Sequence, residues 1–212
     1  CLVGSEMCIR DSIRLLHNHP RVDIAWMTSR QDRDFESIHR NLLGSGLNFI
    51  REEDATPCDV VFLCMPSRQS MNRARTYLDQ GSKVIDIGSD FRLKDKAAFE
   101  QVYKAEHSDW ELVEQAPYGA TELHRGAIQK ANLVANPGCF AYTTILALAP
   151  LIHHKLVEFD KIIANCLSGT SGAGAESSTA THHSEISQST FPYNVVGPVS
   201  YTHLTLPTNG CV

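Results

Sequence analysis

Residues 58–90 alternate strand, helix, strand, and this constrains the fold more than any other feature of the chain. "CDVVFLCMP" (58–66) is a continuous apolar run of strand length, as expected of a parallel strand covered on both faces. "SMNRARTYLDQG" (70–81) carries a helical pattern ended by Gly81, and "KVIDIGSD" (83–90) is the next strand. Upstream, "SIRLLHNHP" (12–20) reads as the tail of an amphipathic helix stopped at Pro20, and "VDIAWMTS" (22–29) as a strand. Residues 31–57 are charged and irregular, with a turn at "GSG" (44–46). Downstream, helices are expected over 122–131 and 140–153, with "NLVANPG" a short strand into a turn and "KIIANCLSG" a further strand. The alternation predicts an α/β fold with a doubly wound, mostly parallel, Rossmann-like sheet.

The chain has 212 residues, a formal charge of −5, 42% hydrophobic and 20% charged residues. That is the composition of an ordinary globular protein, and the acidic balance argues against nucleic acid or an anionic membrane as partner. No apolar stretch approaches the roughly 20 residues that span a bilayer, and no secretory signal is visible. Seven cysteines without framework spacing point to free thiols in a reducing compartment, so a cytoplasmic location is expected.

Both ends look foreign to the chain between them. Met7 to Asp11 back-translates as ATG TGT ATA AGA GAC, whose reverse complement encodes Val199 to His203. The word resembles the transposase end sequence of sequencing-library adapters. Residues 1–12 and 199–212 are therefore read as non-native, as expression scars would be, with coincidence through the choice of codons as the competing reading. Cys58, Cys64, Cys139 and Cys166 remain for a functional argument, and all but Cys139 fall in or beside apolar strands.

"ANPGCF" (135–140) places Cys139 after a Pro-Gly turn at the opening of an apolar helix. Helix starts favour anions, so a thiolate there can attack an activated carbonyl while nearby amides hold the oxyanion. A small residue packed under a turn is an equal alternative on position alone. Thr28, Ser29 and Arg30 end the second strand, where hydroxyls and an arginine suit the 2′-phosphate of NADP; an exposed polar loop is the competing reading. The Gly-rich phosphate turn after a first strand is missing, because the foreign word occupies its place. "SGTSGAGAES" (168–177) holds three glycines and four hydroxyls, a segment whose amides can converge on an anion or approach a flat ring. Arg92 lies just past a strand end, where it could fork onto a phosphate or carboxylate or form a surface ion pair. No metal is expected, since His182 and His183 are adjacent and no second pair stands at ligand spacing.

Together, "HP" (19–20), "TSR" (28–30), "DVVFL" (59–63), "GSDFRL" (88–93), "YGATE" (118–122), "NPGCF" (136–140) and "SGTSGAG" (168–174) resemble the N-acetyl-γ-glutamyl-phosphate reductases of arginine biosynthesis. "SGAGAESSTATHHSE" also resembles the sister reductases acting on carrier-protein-bound glutamyl or aminoadipyl phosphates, and more distantly aspartate-semialdehyde dehydrogenase. The resemblance implies an NADPH-dependent reduction of an acyl phosphate to the semialdehyde, through a thioester on Cys139. It implies cofactor contacts from Thr28, Ser29, Arg30, Pro66, Ser171, Gly172 and Ala173, and substrate contacts from Arg92, Glu122 and Asn136. It implies an incomplete NADP-binding domain over 13–137, the start of a glyceraldehyde-3-phosphate-dehydrogenase-like α+β catalytic domain over 138–198, and a homo-oligomer when full length. Thr121 stands where the family has proline, Gly88 or its neighbour where alanine is common, and Pro66-Ser67-Arg68 where Pro-His-Gly is usual. The family's catalytic histidine is expected just after Gly197, where the foreign word begins, so the chain as written is expected to be inactive. A cofactor-free cysteine acyltransferase or hydrolase, and a non-catalytic binding domain, are the competing readings.

Overall fold

The computed structural model describes residues 1–4, 6–29, 34–158, 162–170, 179 and 182–187. They divide into two compact units, Cys1–Pro137 and Gly138–Val212. The first is built on six parallel strands: β1 (Leu2–Gly4), β2 (Met27–Thr28), β3 (Phe49–Ile50), β4 (Val60–Cys64), β5 (Lys83–Asp86) and β6 (Leu133–Ala135). Their order across the sheet is β3-β2-β1-β4-β5-β6. Phe62 stands opposite Leu2 on one side and Ile85 on the other, so β4 is an interior strand and its apolar run is explained.

Alternate side chains enter two cores. Val3, Val61, Leu63, Val84 and Leu133 pack on one face with Phe91, Phe99 and Val113, while Leu2, Met27 and Cys64 pack on the other. Helix α1 (Glu6–Leu16) covers that second face with Ile9 and Ile13, one helical turn apart and both fully buried. It is joined there by α2 (Phe35–Ile38), whose N-cap Asp34 accepts the Ser37 N–H at 2.8 Å. The first face is covered by α3 (Ala74–Asp79), α4 (Lys96–Tyr103) and α5 (Trp110–Gln115). Asp95 and Asp109 cap α4 and α5 at the Ala98 and Leu112 N–H groups. Helix α6 (Thr121–Lys130) leads into β6.

Several elements differ from the expectation. Leu2–Gly4, set aside above with the foreign ends, is placed at the centre of the sheet, and α1 starts at Glu6 instead of ending a helix begun elsewhere. A central parallel strand asks only for a short apolar run buried on both faces, and Leu2 and Val3 supply it. The strand expected over 22–29 shrinks to Met27–Thr28, and the irregular 31–57 stretch contains β3. The helix expected over 70–81 is a 3₁₀ turn, Ser70–Asn72, followed by α3.

The second unit contains α7 (Cys139–His153) and α8 (His183–Ile186). Ala141, Thr144 and Ile145 are the buried positions of α7, three and four residues apart on one face. The strand expected in "KIIANCLSG" is not formed in 162–169: no described strand lies beside it, and Ile163 and Leu167 are 89% and 87% exposed. No helix among the described residues is long and apolar enough to cross a membrane.

Candidate functional site

In an open parallel sheet, ligands bind beyond the carboxyl ends of the strands, at the point where the winding reverses. Here that point lies between β1 and β4. Gly4 ends β1 at φ +129°, and a Cβ there would sit 2.2 Å from the Cys64 carbonyl oxygen, so only glycine fits the crevice wall. Thr28 and Ser29 lie at the end of the neighbouring β2, with the Thr28 side chain buried and Ser29 half-buried.

The loop after β4 runs through Pro66, which is exposed, and turns at Arg68 in the left-handed region, φ +70°. The Gln69 N–H closes the turn on the Pro66 carbonyl at 3.2 Å. Asp90 holds this loop from below. Its fully buried carboxylate accepts the Arg68 N–H at 2.6 Å and the Met71 N–H at 3.0 Å. The Ser89 and Ser67 hydroxyls add a 2.7 Å bond between the same two loops.

Asp86, at the end of β5, is the most perturbed acid here. Burial pushes its carboxyl up to about 6, and the Asp90 charge adds to this, against the Ser70 hydroxyl, Arg92 and the Gly88 N–H. Oδ1 accepts the Gly88 N–H at 3.0 Å, while Oδ2 and the Ser70 hydroxyl have no well-formed hydrogen bond. The folded chain therefore binds this proton more readily than the unfolded chain, and stability from this group grows as pH falls from about 6 towards 4. Asp86→Asn, which keeps an oxygen for Gly88, is expected to stabilise the fold by about 2–3 kcal/mol at pH 7.5, with most of that gap gone by pH 4. Urea melts of the two proteins across that range check it, and a gap independent of pH would refute it.

Beyond β6, the Asn136 N–H donates to the Asp86 carbonyl at 2.9 Å. Arg92 reaches the same place: Nε donates to the Asn136 carbonyl at 2.7 Å and Nη2 to the Ile87 carbonyl at 2.8 Å. The "YGATE" segment lies along β6, where Tyr118 bridges Ala135 and Gly119 donates to its carbonyl. A Cβ on Gly119 would lie 3.1–3.2 Å from Ala135 O, Asn136 Cα and Pro137 Cδ, so a side chain there would push this packed backbone by a few tenths of an ångström. Burial raises the half-buried Tyr118 phenol above its usual range, with Arg92 opposing. Glu122 is exposed in the first turn of α6.

In the second unit, Cys139 is the first residue of the 15-residue α7, exposed and with a free thiol. Gly138 is the N-cap and offers no side chain to the opening N–H groups; its carbonyl accepts the Tyr142 N–H at 2.9 Å. Five residues after Cys139, Thr144 Oγ1 donates back to the Phe140 carbonyl and lies 3.5 Å from the Cys166 sulfur.

Of the residues singled out in the sequence, Pro66, Arg92 and Asn136 thus share the β4–β6 end of the first unit, and Thr28 and Ser29 stand across β1 from them. Arg30, Ser171, Gly172 and Ala173 lie outside the described residues. Asp86, Asp90 and Ser89 were missed as site-builders. Two acids bracketing the end of an otherwise apolar strand were the signal in "KVIDIGSD". Among the described residues no group of three or more His, Cys, Asp or Glu side chains gathers as a metal site.

A six-stranded parallel sheet in this order defines a Rossmann-type dinucleotide-binding domain. Residues 2–131 match the family described as semialdehyde dehydrogenase, NAD binding domain, and residues 139–203 match semialdehyde dehydrogenase, dimerisation domain. The chain belongs to the semialdehyde dehydrogenase family, a family of nicotinamide-dependent oxidoreductases. It is 40% identical over 199 residues to the N-acetyl-gamma-glutamyl-phosphate reductase of Bordetella avium (strain 197N), covering 91% of this chain and 56% of the relative. To the reductase of that name from Janthinobacterium sp. (strain Marseille) it is 43% identical over 190 residues, 87% of this chain and 55% of the relative. These are the relatives that the sequence motifs pointed to. The chain spans about half the length of the curated relatives it matches. A solved structure, aspartate semialdehyde dehydrogenase II from Vibrio cholerae, shares the fold at TM-score 0.53 and 16% identity, over 72% of this chain and 42% of that one.

Proposed function

We propose that this chain carries the cofactor domain and the nucleophile of an N-acetyl-γ-glutamyl-phosphate reductase that uses NADPH. The observation that carries the reading is Cys139 itself: an exposed thiol at the first position of a long helix whose opening N–H groups have no side-chain cap. Motif order and the family of the relatives give it its reaction. The layout inferred with it is a cofactor domain over 13–137 and the start of the catalytic domain over 138–198, between adapter-derived ends.

The Cys139 sulfur attacks the acyl carbon, and phosphate leaves with the C–O electron pair, so a thioester remains on the enzyme. The opening N–H groups of α7 are placed to hold the oxyanion formed on the way. The dinucleotide, when bound, would supply the hydride that takes the thioester carbon to the thiohemiacetal alkoxide. Breaking the C–S bond then releases the semialdehyde and returns the thiolate. The β1/β4 switch point is where a sheet of this order binds such a cofactor, although the sequence after Gly4 lacks the G-x-G-x-x-G pattern. Thr28, Ser29 and Arg30 are assigned to the 2′-phosphate, Pro66 to the loop beside the cofactor, and Ser171, Gly172 and Ala173 to the nicotinamide end. Asn136 and Glu122 are assigned to the substrate side, and Arg92 offers it the end-on Nη1/Nη2 edge, because the side-on edge is committed to the Asn136 and Ile87 carbonyls. The full-length enzyme is inferred to be a homo-oligomer, in line with the dimerisation-domain match, and its substrate free or carried on a protein.

The cofactor choice is tested by fluorescence titration of the chain with NADPH and NADH. Tighter binding of NADPH by about tenfold or more is expected, since an arginine and two hydroxyls add charge-assisted bonds to the extra phosphate. Equal affinity would remove the NADP assignment.

A further inference from the structure

We propose that residues 88–92 are a positioning segment: Ser89 and Asp90 set the loop after β4 that borders the dinucleotide crevice, and Arg92 sets the Asn136 carbonyl. The cofactor half of this rests on the reading under Proposed function; the fastening itself does not.

The loop after β4 cannot hold its shape unaided. Arg68 sits at φ +70°, a region that a side-chain-bearing residue enters only when its surroundings demand it. The demand comes from Asp90, 22 residues away in sequence, whose two oxygens take the Arg68 and Met71 N–H groups at 2.6 and 3.0 Å. Bonds from backbone N–H to a buried carboxylate are stronger than neutral ones, and losing them strands two donors. Ser89 fixes the loop's other limb through Ser67 at 2.7 Å. Gly88 lets the segment come this close: a Cβ there would stand 2.9 Å from the Ser70 hydroxyl and 3.1 Å from the Met65 carbonyl.

Two residues on, Arg92 works in the opposite direction. Its planar fork spends Nε on Asn136 and Nη2 on Ile87, joining the chain beyond β6 to the chain beyond β5. The side-on edge, Nε with the adjacent Nη2 hydrogen, is the edge used here, which leaves the end-on Nη1/Nη2 edge for any ligand. Asn136 precedes Cys139 by three residues. One five-residue segment therefore fastens both the loop after β4 and the Asn136 carbonyl beyond β6.

The test combines hydrogen exchange with NADPH titration on the full chain, for wild type, Ser89→Ala, Asp90→Asn, Arg92→Lys and Arg92→Gln. Asp90→Asn is expected to speed exchange of the Arg68 and Met71 amides at least tenfold and to weaken NADPH binding about tenfold, with Ser89→Ala smaller in the same direction. Arg92→Lys and Arg92→Gln are both expected to protect the Asn136 amide less well than wild type, because neither side chain reproduces the planar spacing of Nε and Nη2. Inorganic phosphate binding should be the same in both. The proposal is overturned if Arg92→Lys matches wild type while Arg92→Gln alone loses phosphate binding, or if the Asp90 and Ser89 variants leave exchange and NADPH affinity unchanged. Should Asp90→Asn not fold, Ser89→Ala decides that half. If neither wild type nor the chain completed to the length of its relatives binds NADPH, the proposed function fails, and the exchange data still decide the fastening.

Discussion

Replacing Cys139 by serine is expected to abolish reductase turnover, by more than about 10⁴-fold, in a chain completed to the length of its relatives. The serine hydroxyl at neutral pH is a far weaker nucleophile than a thiolate, and its acyl ester would be a poorer hydride acceptor than a thioester. Cys139 is exposed at the start of α7 and is not a core residue, so the substitution should leave the fold intact. NADPH affinity should therefore stay within about twofold, since the proposed cofactor contacts involve other side chains. Steady-state assays beside a fluorescence titration separate the two effects. The same change at Cys64, which is buried in the second core, should act on stability instead.

The largest stability effect is expected at Phe99. Its ring is fully buried on α4, 4.8 Å from Tyr103, 5.1 Å from His107 and 6.2 Å from Trp110, measured between ring centroids. Phe99→Ala removes the shared partner of all three and leaves a cavity that two short helices cannot close, a cost of about 3–5 kcal/mol. Against a total stability of roughly 5–15 kcal/mol, that is a large share. Urea melts should show it, with Phe99→Leu losing less than half as much. The cluster also holds the His107 imidazole below its ordinary range, by burial against the opposing pull of Asp90 and Asp109. Admitting water through Phe99→Ala should raise that pKa, which the imidazole resonances would report. A loss under about 1 kcal/mol would mean that the cluster closes over the gap.

The apolar run at 58–66 and the strand at 83–90 were legible because an interior parallel strand has to be apolar on both faces. The place of Cys139 at a helix start was legible because Pro137-Gly138 marks a turn and an apolar helical run follows it. Helices α4 and α5 went unread although Asp95 and Asp109 announce them as N-caps; the charged stretch around them hides short amphipathic helices. Strand β3, only two residues long, gives no period to read. What Arg92 and Asp90 do could not be read at all, because their partners lie 44 and 22 residues away and are backbone groups, which no residue type records. Leu2–Gly4 shows a different limit. Any short apolar run with a terminal glycine fits the central slot, so its place in the sheet speaks to fit, while the reverse-complement word shared with residues 199–203 speaks to origin.

The most direct measurement is mass spectrometry of the completed chain after mixing with N-acetylglutamyl phosphate in the absence of NADPH. The expected result is an N-acetylglutamyl adduct confined to the peptide bearing Cys139, cleared on adding NADPH as the semialdehyde appears. Turnover with NADPH but no adduct at Cys139, or an adduct on another residue, would contradict the assignment of Cys139 as the nucleophile.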